Sequence, residues 1–193
     1  MSRHSDPYVY PGTNVLRNFL GITDAHKLDR AERRLVGDRI AEGVPTGSFD
    51  LAHLCGIHHH LFQDVYDWAG KLRTVEISKG GSQFQVREYI PTGMADVHRR
   101  LSRAGFLKGL PVNEFSREAG IIIGDINYIH PFREGNGRTQ AQYLKRLAEQ
   151  AGHIVDMRRV DPKLWIDASK ASHTADYSLM AQAIRTAIIP VKR

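Results

Sequence analysis

The residues from His130 to Thr139 combine side chains that suit phosphoryl-transfer chemistry. His130 can take a proton from a hydroxyl near neutral pH. The carboxylate of Glu134 suits a hard cation such as Mg²⁺. Gly135 and Gly137 allow a backbone turn with positive φ and a close approach to a ligand. Together these residue types indicate transfer chemistry on a nucleoside triphosphate.

The residues from Thr139 onward are typical of a helix, so the glycine turn lies at a helix N-terminus. Free backbone N–H groups and the helix dipole bind phosphate at such a position. Arg138 adds a fork-shaped cation for a second phosphate. The side-chain amide of Asn136 can also contact a phosphate; the alternative is a turn residue in the left-handed region. Phe132 is assigned to the core.

The elements that position these residues are expected to be mainly helices. Helical spacing of apolar residues predicts helices at about residues 26–40, 50–66, 92–104, 113–130, 139–151, 162–172 and 176–188. Ser48 or Asp50 is the expected cap of the second helix and Asn113 that of the fourth. Residues 74–78 and 83–86 instead alternate polar and apolar side chains around a glycine-containing turn, which predicts a β-hairpin. The sequence therefore predicts an all-α protein with one hairpin.

Composition limits the class of protein. A chain of 193 residues with 41% apolar content is long enough to bury one core. The single Cys55 excludes an internal disulfide framework and favours a reducing compartment. The first residues lack the apolar region of a signal peptide, and no apolar run reaches the roughly 20 residues of a membrane helix. We therefore expect a cytoplasmic protein without membrane contact.

Two further patterns are weak indicators of a ligand. The net charge of +6 and the pI near 9.6 admit a nucleic-acid partner. The basic residues are spread along the predicted helices without interleaved aromatic residues, which favours a solvated surface or an acidic protein partner over nucleic acid. His53 and the run from His58 to His60 suggest zinc, but successive helical residues point about 100° apart. The His-Glu-x-x-His spacing of zinc proteases is absent, so no zinc site is expected.

The stretch from His130 to Ala141 resembles the signature of the Fic family, His-x-Phe-x-(Asp/Glu)-Gly-Asn-Gly-Arg-x-x-Arg, at every fixed position except the last. Three other segments are similar to bacterial Fic toxins, namely residues 6–12, 62–73 and 75–80. The resemblance covers most of the 193 residues. It implies a single Fic domain over residues 1–193, built as an all-α Fic-fold helical bundle with one β-hairpin flap.

The resemblance also implies an activity and roles for residues. Fic enzymes use the motif histidine, here His130, to deprotonate a Ser, Thr or Tyr hydroxyl, which attacks the α-phosphate of ATP. AMP is transferred to the target protein and pyrophosphate leaves. Glu134 is the implied Mg²⁺ ligand. The implied nucleotide contacts are Gly135, Asn136, Gly137, Arg138 and Thr139 in the motif (residues 130–141), with Lys79 and Gly80 in the flap (about residues 74–87).

The flap residues also admit purely structural roles. Lys79 and Gly80 can equally form an exposed hairpin turn without a ligand. Phe84 either clamps a target side chain or packs beneath the flap. In the Fic family the flap lies over the active site and pairs with the backbone of the target, which is a case of strand addition.

Ala141 is the one departure from the signature, where the family has its second arginine. Losing one charge-assisted contact costs about 1.5–3 kcal/mol, so we expect weaker ATP binding and slower transfer. Lys145, one turn further along the same face, can compensate in part. In the family this arginine also pairs with an inhibitory Glu on a helix with the pattern Ser/Thr-x-x-x-Glu-(Gly/Asn). That pattern is absent from this sequence.

Fic toxins that lack the inhibitory pattern are usually silenced by a separate small antitoxin protein, so a toxin–antitoxin pair is expected. Resemblance to bacterial Fic toxins suggests DNA gyrase and topoisomerase IV subunits as targets. Two alternatives stay open. Related domains transfer UMP, phosphocholine or a phosphate, and Ala141 admits an attenuated protein that only binds a partner.

Overall fold

Residues 6–190, described in a computed structural model, form seven α-helices and one two-stranded hairpin. The helices are α1 (Ala25–Glu42), α2 (Leu51–Phe62), α3 (Ile90–Arg103), α4 (Val112–Ile129), α5 (Asn136–Ala151), α6 (Pro162–Ala171) and α7 (Ser178–Ala187). The antiparallel strands are β1 (Ser78–Lys79) and β2 (Ser82–Gln83). The predicted all-α class with one hairpin is confirmed. Within residues 6–190, none of the helices has the length and apolar character needed to traverse a bilayer.

Helix α4 lies at the centre of the bundle and packs against α3, α5, α6 and α7. Its side chains Phe115, Ile123 and Ile126 are fully buried, as expected for a helix surrounded by others. Helix α7 approaches closely at Gly120, where a Cβ atom would lie 2.9 Å from the backbone nitrogen of Ala181. Helix α4 thus has a fixed position, and its C-terminal end carries residue 130.

Of the two predicted helix caps, that of α2 is present and that of α4 is not. Asp50 caps α2, since its carboxylate accepts a hydrogen bond from the backbone N–H of His53 at 2.8 Å. Asn113 does not cap α4, because the helix begins one residue earlier and Asn113 is already helical. The residue before the helix is Pro111, whose extended backbone and fixed φ start the helix without a side-chain cap.

Helix α2 ends at Phe62, four residues before the predicted end near Tyr66. The backbone N–H groups of Val65 and Tyr66 both donate to the carbonyl of Phe62, so the chain turns there. This turn brings Tyr66 into the core, where its ring stacks on Trp68 with centroids 4.3 Å apart. Burial of these two large aromatic rings favours a chain reversal after Phe62 over a longer helix.

The paired part of the hairpin is shorter than the predicted strands, at two residues each. Gly80 and Gly81 form the turn with φ of 57° and 84°, the left-handed conformations that a tight hairpin requires. One further hydrogen bond, from the Phe84 N–H to the Ile77 carbonyl at 3.3 Å, extends the pairing.

Below the turn, the two legs of the flap bond to other groups instead of to each other. The guanidinium of Arg73 donates to the carbonyls of Val75 and Gln85. The N–H of Gln85 donates to the carbonyl of Tyr128 in α4 at 3.1 Å. These bonds use the backbone groups that a longer strand pair would need. They attach the flap to the C-terminal end of α4.

Candidate active site

His130 is the C-cap of α4 and has a left-handed backbone, with φ 46° and ψ 63°. This conformation is costly for a residue other than glycine. The ring Nδ1 lies 3.0 Å from the carbonyl oxygen of Asn127. Because a carbonyl only accepts hydrogen bonds, Nδ1 carries the proton and Nε2 keeps its lone pair. His130 therefore has the tautomer of a general base acting at Nε2.

The environment of the His130 ring keeps it neutral. The ring of Phe84, from the flap, stacks on it with centroids 3.7 Å apart and planes 20° apart. Burial, with smaller contributions from the positive charges of Arg73, Lys79 and His173, outweighs the hydrogen bond to Asn127 and lowers the pKa of His130 to about 4. A neutral imidazole at pH 7 can accept a proton.

Arg73 holds the backbone of His130 and the flap together. Its side chain has no exposed surface. Its Nε donates to the His130 carbonyl at 2.9 Å, and Nη1 donates to the Val75 carbonyl at 2.9 Å. Nη2 donates to the carbonyl of Gln85 in the other leg of the flap. The sequence resemblance includes Arg73 but does not reveal this role, because the acceptors are main-chain groups from distant segments.

His58 holds the backbone of the motif loop from the opposite side. Its Nδ1 accepts a hydrogen bond from the Gly70 N–H at 2.8 Å, so its Nε2 carries the proton and donates to the Glu134 carbonyl at 3.0 Å. The ring lies against Phe62 and Phe132, with centroids 4.6 Å and 3.9 Å away. Burial lowers the pKa of His58 to about 4. His58 is therefore a neutral structural residue.

The other histidines of the suggested zinc cluster point to different acceptors. Their rings bond to the carbonyls of three separate residues, namely His53 to Pro45, His59 to Ala69 and His60 to Arg39. Among residues 6–190, no three His, Cys, Asp or Glu side chains converge as metal ligands. The four rings connect α2 to its surroundings.

The carboxylate of Glu134 is half exposed. Its Oε1 accepts a hydrogen bond from the N–H of Gly135 at 2.9 Å. Mg²⁺ in nucleotide sites is typically held by one or two carboxylates, with phosphate oxygens and water completing its coordination. A single accessible carboxylate beside a phosphate-binding turn fits that ion.

Gly135 and Gly137 differ in conformation. Gly135 is the N-cap of α5 with φ 82°, and a Cβ there would overlap the ring of Phe62. Both constraints require glycine. Gly137 is helical, so its predicted positive φ is wrong. A Cβ at Gly137 would meet no atom within 4 Å, so this glycine leaves the N-terminus of α5 open to a ligand.

The side chains of Asn136 and Thr139 are used within the loop. The Asn136 amide donates to the Phe132 carbonyl at 2.7 Å and accepts from the Phe132 N–H at 3.0 Å. The Thr139 hydroxyl and N–H both donate to the Gly135 carbonyl, at 3.0 and 3.1 Å. Each of these polar groups already has a buried partner in the loop, and the predicted phosphate contacts of Asn136 and Thr139 stay predictions. The N–H groups of the first turn, from Asn136 to Arg138, remain for a phosphate.

The guanidinium of Arg138 lies at the mouth of this site. Its Nη1 is 2.5 Å from Oε1 of Glu32 in α1, and its Nη2 is 3.7 Å from Oε1 of Glu134. Its Cζ lies 4.7 Å from the centroid of the Phe62 ring. The sequence interpretation includes Arg138 and misses Glu32.

The remaining predicted residues lie on the flap and on α5. Lys79 is exposed on β1, and Gly80 is in the turn. Ala141 is half-buried in the second turn of α5, on the same helix as Arg138. Fold and site together define a helical domain that presents a neutral histidine beside an open helix N-terminus.

Comparisons with known proteins agree with this arrangement. The model of the Fic/DOC family matches residues 48–148. Protein adenylyltransferase VbhT of Bartonella schoenbuchensis is 42% identical over 188 residues, which is 94% of this chain and 38% of that protein. The y4lH protein of Sinorhizobium fredii, named a probable protein adenylyltransferase, is 40% identical over 184 residues, 95% of this chain and 96% of that protein.

Among solved structures, the N-terminal Fic domain of a VirB-translocated Bep effector protein of Bartonella quintana, which has bound ADP, superimposes with a TM-score of 0.89. It is 27% identical in sequence, and the match covers 96% of this chain and 95% of that one. The chain belongs to the Fic/DOC family.

Proposed function

We propose that this chain is a protein adenylyltransferase that transfers AMP from ATP to a hydroxyl side chain of a target protein. The observation that carries the proposal is the state of His130, a neutral imidazole whose Nδ1 is bonded to the Asn127 carbonyl, so that Nε2 keeps its lone pair. The names of the two curated relatives support the activity. The ADP in the Bartonella quintana domain supports an adenine nucleotide.

The chain's own groups account for the steps of this reaction. Nε2 of His130 takes the proton of the target hydroxyl. The hydroxyl oxygen forms a bond to the α-phosphorus, the bond from that phosphorus to the bridging oxygen breaks, and pyrophosphate leaves with the electron pair. The N–H groups at the start of α5 and the guanidinium of Arg138 face the negative charge that develops on the leaving group.

Glu134 is the proposed ligand of Mg²⁺, an ion that supplies positive charge to the phosphates when bound. Lys79 and Gly80 are proposed to contact the nucleotide from the flap, and the edge of the flap to pair with the target backbone. The ring of Phe84, which stacks on His130 with centroids 3.7 Å apart, supports a flap that covers the site.

We further propose that the chain acts as the toxin of a toxin–antitoxin pair, with a small antitoxin that carries the inhibitory Glu. The missing Ser/Thr-x-x-x-Glu-(Gly/Asn) pattern supports a separate inhibitor. Subunits of DNA gyrase and topoisomerase IV are the proposed targets, on the resemblance to Fic toxins. The cytoplasmic location stays a prediction.

Label transfer tests the activity. The chain is incubated with a bacterial lysate, α-labelled ATP and Mg²⁺, beside a His130→Ala control. A discrete labelled band that is absent with His130→Ala and after chelation of Mg²⁺ is the expected result. No label with the unchanged chain would overturn the proposed use of ATP.

The same assay tests Ala141. The Ala141→Arg variant restores the arginine of the family signature, so its rate is expected to rise by roughly 10- to 150-fold. Gln150→Arg, an exposed site at the far end of α5, adds the same charge away from the motif and serves as the control. A rate equal to that of the unchanged chain would show that Ala141 does not limit transfer.

A further inference from the structure

Glu32 is a carboxylate of α1 that lies outside the stretch matched by the family model. We propose that Glu32 is a positioning residue for Arg138: it holds one guanidinium nitrogen so that the other faces the phosphates of the nucleotide. The inference rests on the proposed function, because that function assigns Arg138 to phosphate binding.

Glu32 is buried, and each of its two carboxylate oxygens has a partner. It is 7% exposed and shares the inner face of α1 with Leu28 and Val36. Its Oε1 pairs with Nη1 of Arg138 at 2.5 Å, and its Oε2 accepts a hydrogen bond from the hydroxyl of Tyr66. Burial raises the pKa of Tyr66, and the charge of Glu32 raises it further, so the phenol stays protonated and donates. Among residues 6–190, Arg138 is the one cation within ion-pair distance of Glu32.

The geometry leaves one side of Arg138 open. The ring of Phe62 lies against the guanidinium, 4.7 Å from Cζ, and restricts its tilt. With Nη1 held by Glu32, Nη2 lies toward Glu134, 3.7 Å from its carboxylate. The side chain of Arg138 is 32% exposed, whereas that of Glu32 is 9% exposed. Nη2, the terminal nitrogen that Glu32 does not hold, therefore lies on the side of the proposed Mg²⁺ ligand.

If Glu32 inhibited the enzyme by competing with phosphate for Arg138, its carboxylate would have to be exposed to water. A phosphate that displaced Glu32 from Arg138 would leave a buried carboxylate without a cation, which is strongly unfavourable. A competing carboxylate must be able to move into water when the nucleotide arrives. Glu32 is fixed within a helix and bonded to Tyr66, so the phosphate must bind Arg138 while the pair stays intact. Glu32 orients the arginine instead of competing for it.

Initial rates of label transfer into the lysate band, measured over a range of ATP concentrations, test this role. Glu32→Gln is compared with the unchanged chain, both with Arg138 and in an Arg138→Lys background, since lysine lacks the fork that Glu32 orients. Glu42→Gln, an exposed carboxylate on the same helix that pairs with Arg39 at 3.0 Å, is the matched control.

We expect Glu32→Gln to lower the maximal rate by roughly 10- to 100-fold, because Arg138 is then poorly aimed at the leaving group. The apparent KM for ATP is not expected to rise, since the removed charge is negative. In the Arg138→Lys background, the further loss is expected to be less than about twofold. Glu42→Gln is expected to leave the rate unchanged.

An unchanged or faster rate with Glu32→Gln would overturn the inference, and so would an equal proportional loss in both backgrounds, which assigns the effect to folding. Tyr66→Phe keeps the carboxylate and removes its second partner. If Glu32→Gln does not fold, a rate loss with Tyr66→Phe that vanishes in the Arg138→Lys background supports the inference, and any other result overturns it. No label with the unchanged chain overturns the proposed function and the inference with it.

Discussion

The chemistry of His130 depends first on two features of its own segment of chain. The carbonyl of Asn127, three residues earlier, sets the tautomer, and the end of α4 sets the left-handed backbone. The flap adds the third determinant, since the ring of Phe84 removes the imidazole from water. Burial of this kind disfavours the charged form of a histidine. A residue outside the motif thus contributes to the burial that lowers the pKa of the base.

Phe84→Ala is expected to shift the pH dependence of transfer. The folded pKa of His130 is about 4, below its ordinary value, so the base is neutral and competent throughout the range above it. Removing the phenyl ring rehydrates the imidazole and raises this pKa toward about 6.5. As the pH falls from 8 to 6, the rate of the variant should fall several-fold relative to the unchanged chain.

The measurement is the ratio of transfer rates at pH 6 and pH 8, which is independent of the absolute rate of the variant. Val86→Ala, an exposed flap position, is the control and should keep the original ratio. The same ratio in Phe84→Ala and in the unchanged chain would contradict the assigned cause of the low pKa.

Single-residue roles were predictable where the backbone alone does the work. The motif predicted a turn at Gly135, and the structure has it. The hydrogen-bond partners of the Asn136 and Thr139 side chains could not be predicted, because they depend on how the loop folds on Phe132 and Gly135. Glu32 had a weak signal, since it stands four residues from Leu28 on a face of apolar spacing.

At the scale of elements, the flap depends on α4 for its order. A lone two-stranded hairpin is only marginally stable in water, and this one has two residues in each strand. The sequence predicted the hairpin from its alternation and its Gly80–Gly81 turn. It could not predict that the legs bond to α4, because a buried arginine and a helix end determine that attachment.

Arg73→Lys is expected to lower the transfer rate by at least about tenfold and to loosen the base of the flap. An ammonium has three donors on one nitrogen and cannot serve carbonyls on three segments in the way a guanidinium does. The measurements are label transfer and hydrogen exchange of the Gln85 amide, which should exchange faster in the variant.

Arg87→Lys is the control for this change. Arg87 is half exposed at the base of the flap and donates to the Thr74 carbonyl at 2.8 Å. Its replacement should leave the rate within about twofold, because exposed contacts contribute little. Equal effects of the two variants would show that the buried position of Arg73 has no special role.

Across the whole molecule, the site depends on the close packing of α4 with α7. Gly120→Ala is expected to destabilise the fold by about 1–3 kcal/mol, since the new methyl group would lie 2.9 Å from the backbone of Ala181 and α7 must shift. Thermal unfolding should show a midpoint lower by roughly 2–4 °C per kcal/mol.

Gly37→Ala, in the exposed part of α1, is the matched control. A Cβ there meets no atom within 4 Å, so the variant should gain roughly 0.5–1 kcal/mol from helix propensity. A midpoint for Gly120→Ala at or above that of the unchanged chain would contradict the assigned constraint.

The architecture was more predictable from sequence than the contacts. Apolar periodicity located the helices, since it depends only on which face is buried. The family assignment from the motif is confirmed by the match of the Fic/DOC model to residues 48–148. The predicted enzyme class agrees with the names of the relatives. Helix ends such as Phe62 were misplaced, because aromatic packing after the helix decides where it stops.

The cage of carbonyls around Arg73 has a consequence for the entropy of recognition. One buried cation, Arg73, fixes both legs of the flap and the His130 backbone. The flap therefore loses its conformational entropy during folding and not during binding. A segment that adds to the flap therefore meets an edge whose base is already ordered, and its binding orders mainly the segment itself. If a target segment pairs with the flap as proposed, a short stretch with few hydrogen bonds is then enough for productive binding, and no large interface is needed.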